Sequence, residues 1–139
     1  VLNDARYSGE ILVTGKNFGC GSSREHAAWA VKDYGFHAVV SSSFADIFKN
    51  NALNNFLLPV QVEPDVLASL FEGIFNHPAL LMIIDVKDQL FEVPDMNIRV
   101  HFAIDPYKKE CFMNGYDDIE YLLSLKEDIE VFEKNHPIV

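Results

Sequence analysis

The sequence is short of cysteine, of basic residues and of long apolar runs, and each shortage excludes something. Two cysteines occur in 139 residues, Cys20 and Cys111, 91 positions apart. The lack of a CxxC pair argues against a zinc knot or thioredoxin-type site. A disulfide between the two stays open, although nothing else marks the chain as secreted. Eleven Lys and Arg stand against twenty-one Asp and Glu, a net charge of −10, which argues against nucleic acid, a partner that wants a basic face. A small anionic substrate remains compatible, because a nearby Arg and a helix terminus outweigh distant charge once salt screens it. The longest wholly apolar run, residues 79–84, is six residues, far below the roughly 20 of a membrane helix. No signal peptide is visible. A cytoplasmic protein without a membrane partner is expected.

What is present is a core. Hydrophobic residues make up 49% of the chain, a globular composition, and the length suits one domain spanning residues 1–139. No internal repeat, low-complexity segment or linker interrupts it. Residues 10–14 read as a strand, 23–34 as a helix closed by Gly35, and 36–41 as a buried apolar strand. Ser43 is expected to cap a helix over 44–55, and 57–62 reads as a strand that Pro59 confines to an edge or a strand start. A helix opening at Pro64 runs to about residue 76. Strands over 80–86, 90–93 and 98–104 then suggest a meander, and the tail from residue 105 is helical with a break at Asn114-Gly115. Ile119, Leu122 and Leu123 form an apolar stripe on its last part. Cys111, His101 and the Phe residues read as core. The alternation of strand and helix followed by a meander predicts an α/β domain of mixed, partly parallel sheet with a helical C-terminal tail.

The densest signal is Gly15-Lys16-Asn17-Phe18-Gly19-Cys20-Gly21-Ser22-Ser23-Arg24-Glu25-His26, between the strand Ile11-Leu12-Val13 and the helix that begins the run Ala27-Ala28-Trp29-Ala30-Val31. A strand that turns into a helix presents backbone N–H groups and the positive end of the helix dipole, and so favours an anion. Arg24 adds a planar fork matched to carboxylate or phosphate. The glycines fit no phosphate loop, because no GK pair follows Gly15 at the required spacing. They fit no dinucleotide fingerprint, because position 24 is Arg, and no nucleophile elbow, because Arg24 and Glu25 follow the serines. Ser22 and Ser23 by themselves suit helix caps, Glu25 suits the dipole, His26 reads as a packed or surface residue, and Cys20 as a small buried residue of the turn.

The string from Asn17 to Ala30 resembles the signature of the aconitase-superfamily swivelling domain, and within it that of the 3-isopropylmalate dehydratase (isopropylmalate isomerase) small subunits. Ser43-Phe44-Ala45-Asp46-Ile47-Phe48 with Asn50-Asn51-Ala52-Leu53 and Leu57-Leu58-Pro59 resembles the next block of that family. Ile104-Asp105-Pro106-Tyr107-Lys108-Lys109-Glu110-Cys111 with Asn114-Gly115 and Asp117-Asp118-Ile119 resembles its carboxyl-terminal block. Three blocks in order cover nearly the whole chain. The family's usual leading segment, with an Asp-Thr-Asp-Gln motif and a specificity loop, is not in this sequence, which opens Val-Leu-Asn-Asp; the chain is expected to lack its N-terminal segment.

The resemblance implies an aconitase swivel-type sheet or barrel flanked by helices, and a two-subunit hydro-lyase that isomerises a hydroxy-dicarboxylate by dehydration and rehydration. It implies a large-subunit partner carrying a [4Fe–4S] cluster, and no cofactor or metal ligand in this chain. By matching positions, Ser22 is the base, Arg24 binds a substrate carboxylate and Ser23 touches substrate. Magnitudes set a condition on that role. Bringing a hydroxyl with a pKa of about 15.7 to neutrality requires on the order of 11–12 kcal/mol, whereas a helix terminus supplies about 0.3–2 kcal/mol. Several N–H donors, Arg24 and a closed, water-poor interface have to act together, so the isolated chain is expected to be inactive. Related hydro-lyase small subunits of homoaconitase or methylmalate type, and a non-catalytic anion-binding or assembly module, are the alternatives.

Overall fold

The computed structural model describes residues 2–21 and 24–136. Two three-stranded sheets form the frame. The first is parallel, β1 (Ile11–Val13), β2 (Ala38–Ser41) and β3 (Leu58–Gln61) in that order. Two helices make its crossovers, α1 (His26–Tyr34) and α2 (Asp46–Asn54). Then come α3 (Pro64–Asn76) and an antiparallel meander of β4 (Ile83–Asp85), β5 (Leu90–Val93) and β6 (Ile98–His101). The chain ends in α4 (Pro106–Asn114), α5 (Asp118–Ser124) and α6 (Lys126–Asn135). The expected α/β class, parallel front and helical tail are all present; the strands divide between two sheets.

Period-two alternation sorts the core. Ala38 and Val40 of β2 join Leu58 and Val60 of β3 in one cluster with Leu67 and Leu70 of α3 and Phe91 and Val93 of β5. Val39 faces the other way, among Ala28 of α1, Phe48 and Ala52 of α2, Phe36 and Leu57. The central strand is buried at all four positions, apolar at Ala38, Val39 and Val40 and polar only at Ser41. Pro59 sits on the edge strand, where its missing N–H costs no ladder bond. Gly35 closes α1 in the left-handed region (φ 118°), its N–H reaching the Lys32 and Val31 carbonyls.

Several expectations change. Ser43 does not cap α2; Ala45 occupies that position and makes no side-chain cap bond. His101 is exposed at the end of β6. Not every Phe is core, since Phe75 and Phe132 are 70% and 62% exposed; both lie on helices, where an aromatic outside the packed stripe stays in solvent. Cys111 is buried as expected. Lysines pin α4. Lys108 donates to Asn54 Oδ1 at the end of α2, and Lys109 to the Lys87 carbonyl and Gln89 Oε1 in the β4–β5 turn.

Candidate functional site

The glycine turn leaves the carboxyl end of β1, where ligands of parallel sheets bind. It is laced to the turn that leaves β2. The Thr14 N–H donates to the Val40 carbonyl at 2.9 Å and prolongs the ladder by one bond. Ser41, the last residue of β2, is fully buried, and its hydroxyl lies 2.7 Å from the Gly15 carbonyl and 2.8 Å from the Ser43 carbonyl. The Ser43 hydroxyl accepts from the Asn17 N–H at 2.8 Å and donates to Asn17 Oδ1 at 3.1 Å. One parallel bridge, Phe18 to Phe44, completes the lacing, with the Phe18 N–H on the Ser43 carbonyl and the Ala45 N–H on the Phe18 carbonyl. Asn17 holds φ 56°, a left-handed conformation that Asn accepts more readily than most residues.

The three glycines of the turn differ in what they provide. Gly19 has φ 81°, and a Cβ there would lie 2.2 Å from Phe48 Cγ. Phe18 meets that same Phe48 ring edge-on at 5.1 Å between centroids. Gly21 has φ 92° with open space around it, and Gly15 has neither a positive φ nor a close neighbour. Steric approach and backbone sign both require glycine at 19, and only the backbone sign requires it at 21.

Beyond Gly21 the sequence places its three site residues. Ser22 and Ser23 lie outside the described residues. Arg24 is exposed, two residues before α1 begins. That helix begins at His26, three residues later than the periodicity predicts, with Glu25 at its N-cap position. His26 is exposed and stands edge-on to Trp29 at 4.9 Å. Trp29 Nε1 donates to Asn55 Oδ1 at 2.9 Å, and Asn55 Nδ2 donates to the Asn51 carbonyl at 2.8 Å, so α1 is tied to the end of α2. Cys20 is exposed, contrary to the expectation of a small buried residue; the lacing turns Phe18 inward against Phe48 and leaves position 20 outside.

The turn is held from below by the loop that leaves β2, and Arg24 and the start of α1 follow it in the chain. Sequence reasoning missed the holding residues, Ser41, Ser43 and Asn17. Their signal is the run Ser41-Ser42-Ser43 directly after an apolar strand, hydroxyls where a buried strand meets a turn. An open groove of about 430 Å³ lies at the other end of the sheet, against Ile11, Ala38 and Leu58, the first residues of the three parallel strands. Its polar lining, Lys32, His37 and Glu10, is at that opposite end. Among the described residues no three His, Cys, Asp or Glu side chains gather where a metal ion could be held, and no helix is long and apolar enough to cross a membrane.

Comparison with known proteins gives one consistent answer. The Aconitase C-terminal domain family matches residues 1–65. A 3-isopropylmalate dehydratase small subunit of Karelsulcia muelleri is 54% identical over 136 residues, 98% of this chain and 69% of that one. A protein of the same name from Cytophaga hutchinsonii is 53% identical over 134 residues, 96% of this chain and 67% of that one. Among solved structures, a 3-isopropylmalate dehydratase of Methanocaldococcus jannaschii superposes with a TM-score of 0.62 at 28% identity, covering 92% of this chain and 71% of that one.

Proposed function

Because the chain belongs to the family of 3-isopropylmalate dehydratase small subunits, we propose that it supplies the proton-transferring and carboxylate-binding half of that hydro-lyase. The enzyme isomerises 2-isopropylmalate to 3-isopropylmalate through 2-isopropylmaleate, a step of leucine biosynthesis. The observation that carries this reading is the match of nearly the whole chain to relatives of that name, glycine turn included. The partner is a large subunit, and the setting is the cytoplasm.

The chemistry divides between two polypeptides. A [4Fe–4S] cluster in the large subunit, when bound, polarises the hydroxyl that leaves. This chain handles the other side of the same bond pair. Ser22 takes the proton from the carbon next to a carboxylate and returns one during rehydration. Arg24 binds a substrate carboxylate through its two-pronged fork, and Ser23 touches the substrate. The lacing of Ser41, Ser43 and Asn17 beneath the turn supports this reading, because a base and its N–H donors act only when held within a fraction of an ångström of the reacting atom. Closing the large subunit over the turn removes water and strengthens each of these contacts.

Co-expression with the large subunit, followed by assay on 2-isopropylmalate, tests the proposal. The expected result is turnover by the pair, none by this chain alone, and preference for 2-isopropylmalate over homocitrate. Preference for homocitrate would assign the chain to a related hydro-lyase instead. A pair that turns over neither substrate would leave a non-catalytic module.

A further inference from the structure

The tail carries an apolar face on its outside. Ile119, Leu122 and Leu123 of α5 are 68%, 59% and 63% exposed, and Ile129, Val131 and Phe132 of α6 are 44%, 56% and 62% exposed. Neither helix has a buried residue. The two run almost continuously, the Leu125 N–H bonding to the Leu122 carbonyl and the Ile129 N–H to the Leu125 carbonyl. Leu122, Leu125, Ile129 and Phe132 follow a 3-4-3 spacing, the seam of a helix that packs on another surface.

The face is also held in place. Asp117 and Glu120 form a reciprocal capping box at the start of α5. Tyr107 of α4 donates its hydroxyl to Asp118 and packs edge-on against Tyr121 at 4.6 Å. On α6, Lys126 pairs with Glu130 at 3.9 Å and Phe132 stacks on His136 at 4.4 Å. Helices this short are marginal in water unless an apolar face is buried, and here the face is on the outside.

Charge says what covers it. Residues 117–136 hold seven acidic side chains and two basic ones, and the rest of the chain is also net acidic. A second copy would set one acidic rim against another. A surface that is apolar at its centre and edged with Lys and Arg complements the face in both respects. Resting on the functional reading above, we infer that α5 and α6 dock on the large subunit, which presents an apolar strip edged with basic side chains. The contact uses residues other than those of the glycine turn and gives the two subunits a further point of attachment.

The test measures binding of the full chain to the purified large subunit. Leu122→Ser/Phe132→Ser removes two exposed anchors and is expected to weaken the complex by at least about 100-fold, with an unchanged far-UV circular dichroism spectrum. Glu127→Lys/Glu133→Lys leaves the apolar side chains in place and is expected to weaken it about tenfold, mainly through the association rate, with the difference from the wild type vanishing in high salt. Unchanged affinity in both variants, with the wild type bound and active, would overturn this inference and leave the functional reading intact. A wild-type chain that never binds the large subunit would remove both. A stable homodimer by light scattering that Leu122→Ser/Phe132→Ser dissolves would assign the face to a second copy and overturn the inference.

Discussion

The Ser43 hydroxyl clasps Asn17, accepting the backbone N–H at 2.8 Å and donating to the side-chain Oδ1 at 3.1 Å. Two residues 26 positions apart thereby fix the glycine turn to the loop that follows the central strand. Ser43→Ala removes both bonds and is expected to cost about 1 kcal/mol. Ser41→Ala removes a fully buried hydroxyl from two backbone carbonyls and is expected to cost more, about 1–3 kcal/mol. Urea unfolding of the two variants orders them; equal midpoints would show that the buried hydroxyl carries no extra weight.

Two glycines separate steric from backbone effects. Gly19→Ala places a methyl group inside the Phe48 ring contact and forces a non-glycine residue to φ 81°, so a loss of about 2–4 kcal/mol is expected. Gly21→Ala meets only the backbone penalty at φ 92° in open space, about 1–2 kcal/mol. Thermal unfolding checks the difference, which disappears if Phe48 swings aside without loss of packing.

Ser22 and Arg24 have different signatures if the proposed chemistry is right. In the assembled enzyme Ser22→Ala is expected to lower kcat by three or more orders of magnitude with KM little changed, because proton removal is felt only in the transition state. Arg24→Lys keeps the charge and loses the fork; KM is expected to rise about 10- to 100-fold with kcat changed less. Steady-state kinetics on 2-isopropylmalate reads both. A Ser22→Ala enzyme with near-normal turnover would remove serine from the role of base.

The α4–α5 junction makes stability pH-dependent from both sides. The hydrogen bond from Tyr107, and behind it the charge of Lys108, hold the Asp118 carboxyl below its usual pKa. This stabilisation is present above about pH 3.9, the unfolded carboxylate value, and is lost as pH falls through the lower folded value. The same bond raises the Tyr107 pKa. That contribution is complete below about pH 10, the unfolded value, and is lost as pH rises through the higher folded one. Tyr107→Phe should flatten both limbs of a stability–pH curve measured by denaturant unfolding; a curve that keeps its alkaline limb would place the titration elsewhere.

Much of the frame was legible because it depends on local pattern. The apolar residues 38–40 mark the central strand, Gly35 the end of α1, Pro64 the start of α3, and Asn114-Gly115 the break in the tail. Errors arose where a distant partner decides. Ser43 looks like a helix cap because caps are local, yet its hydroxyl is taken by Asn17 from a loop far away in sequence. Cys20 looks like a buried small residue, yet Phe18 occupies the space beneath the turn. The stripe of Ile119, Leu122 and Leu123 is helical in period as read, but period alone does not say whether a face meets the protein's own core.

The amino-acid order alone determined which segments are strands and helices, and that a glycine turn joins the first strand to the first helix. These follow from steric limits on the backbone and from spacing along a few residues. Only the tertiary structure decided which glycine is irreplaceable, which serine holds the turn rather than capping a helix, and which apolar faces stay outside. Each of those depends on what long-range packing brings within van der Waals or hydrogen-bond distance, a quantity with no counterpart in local sequence.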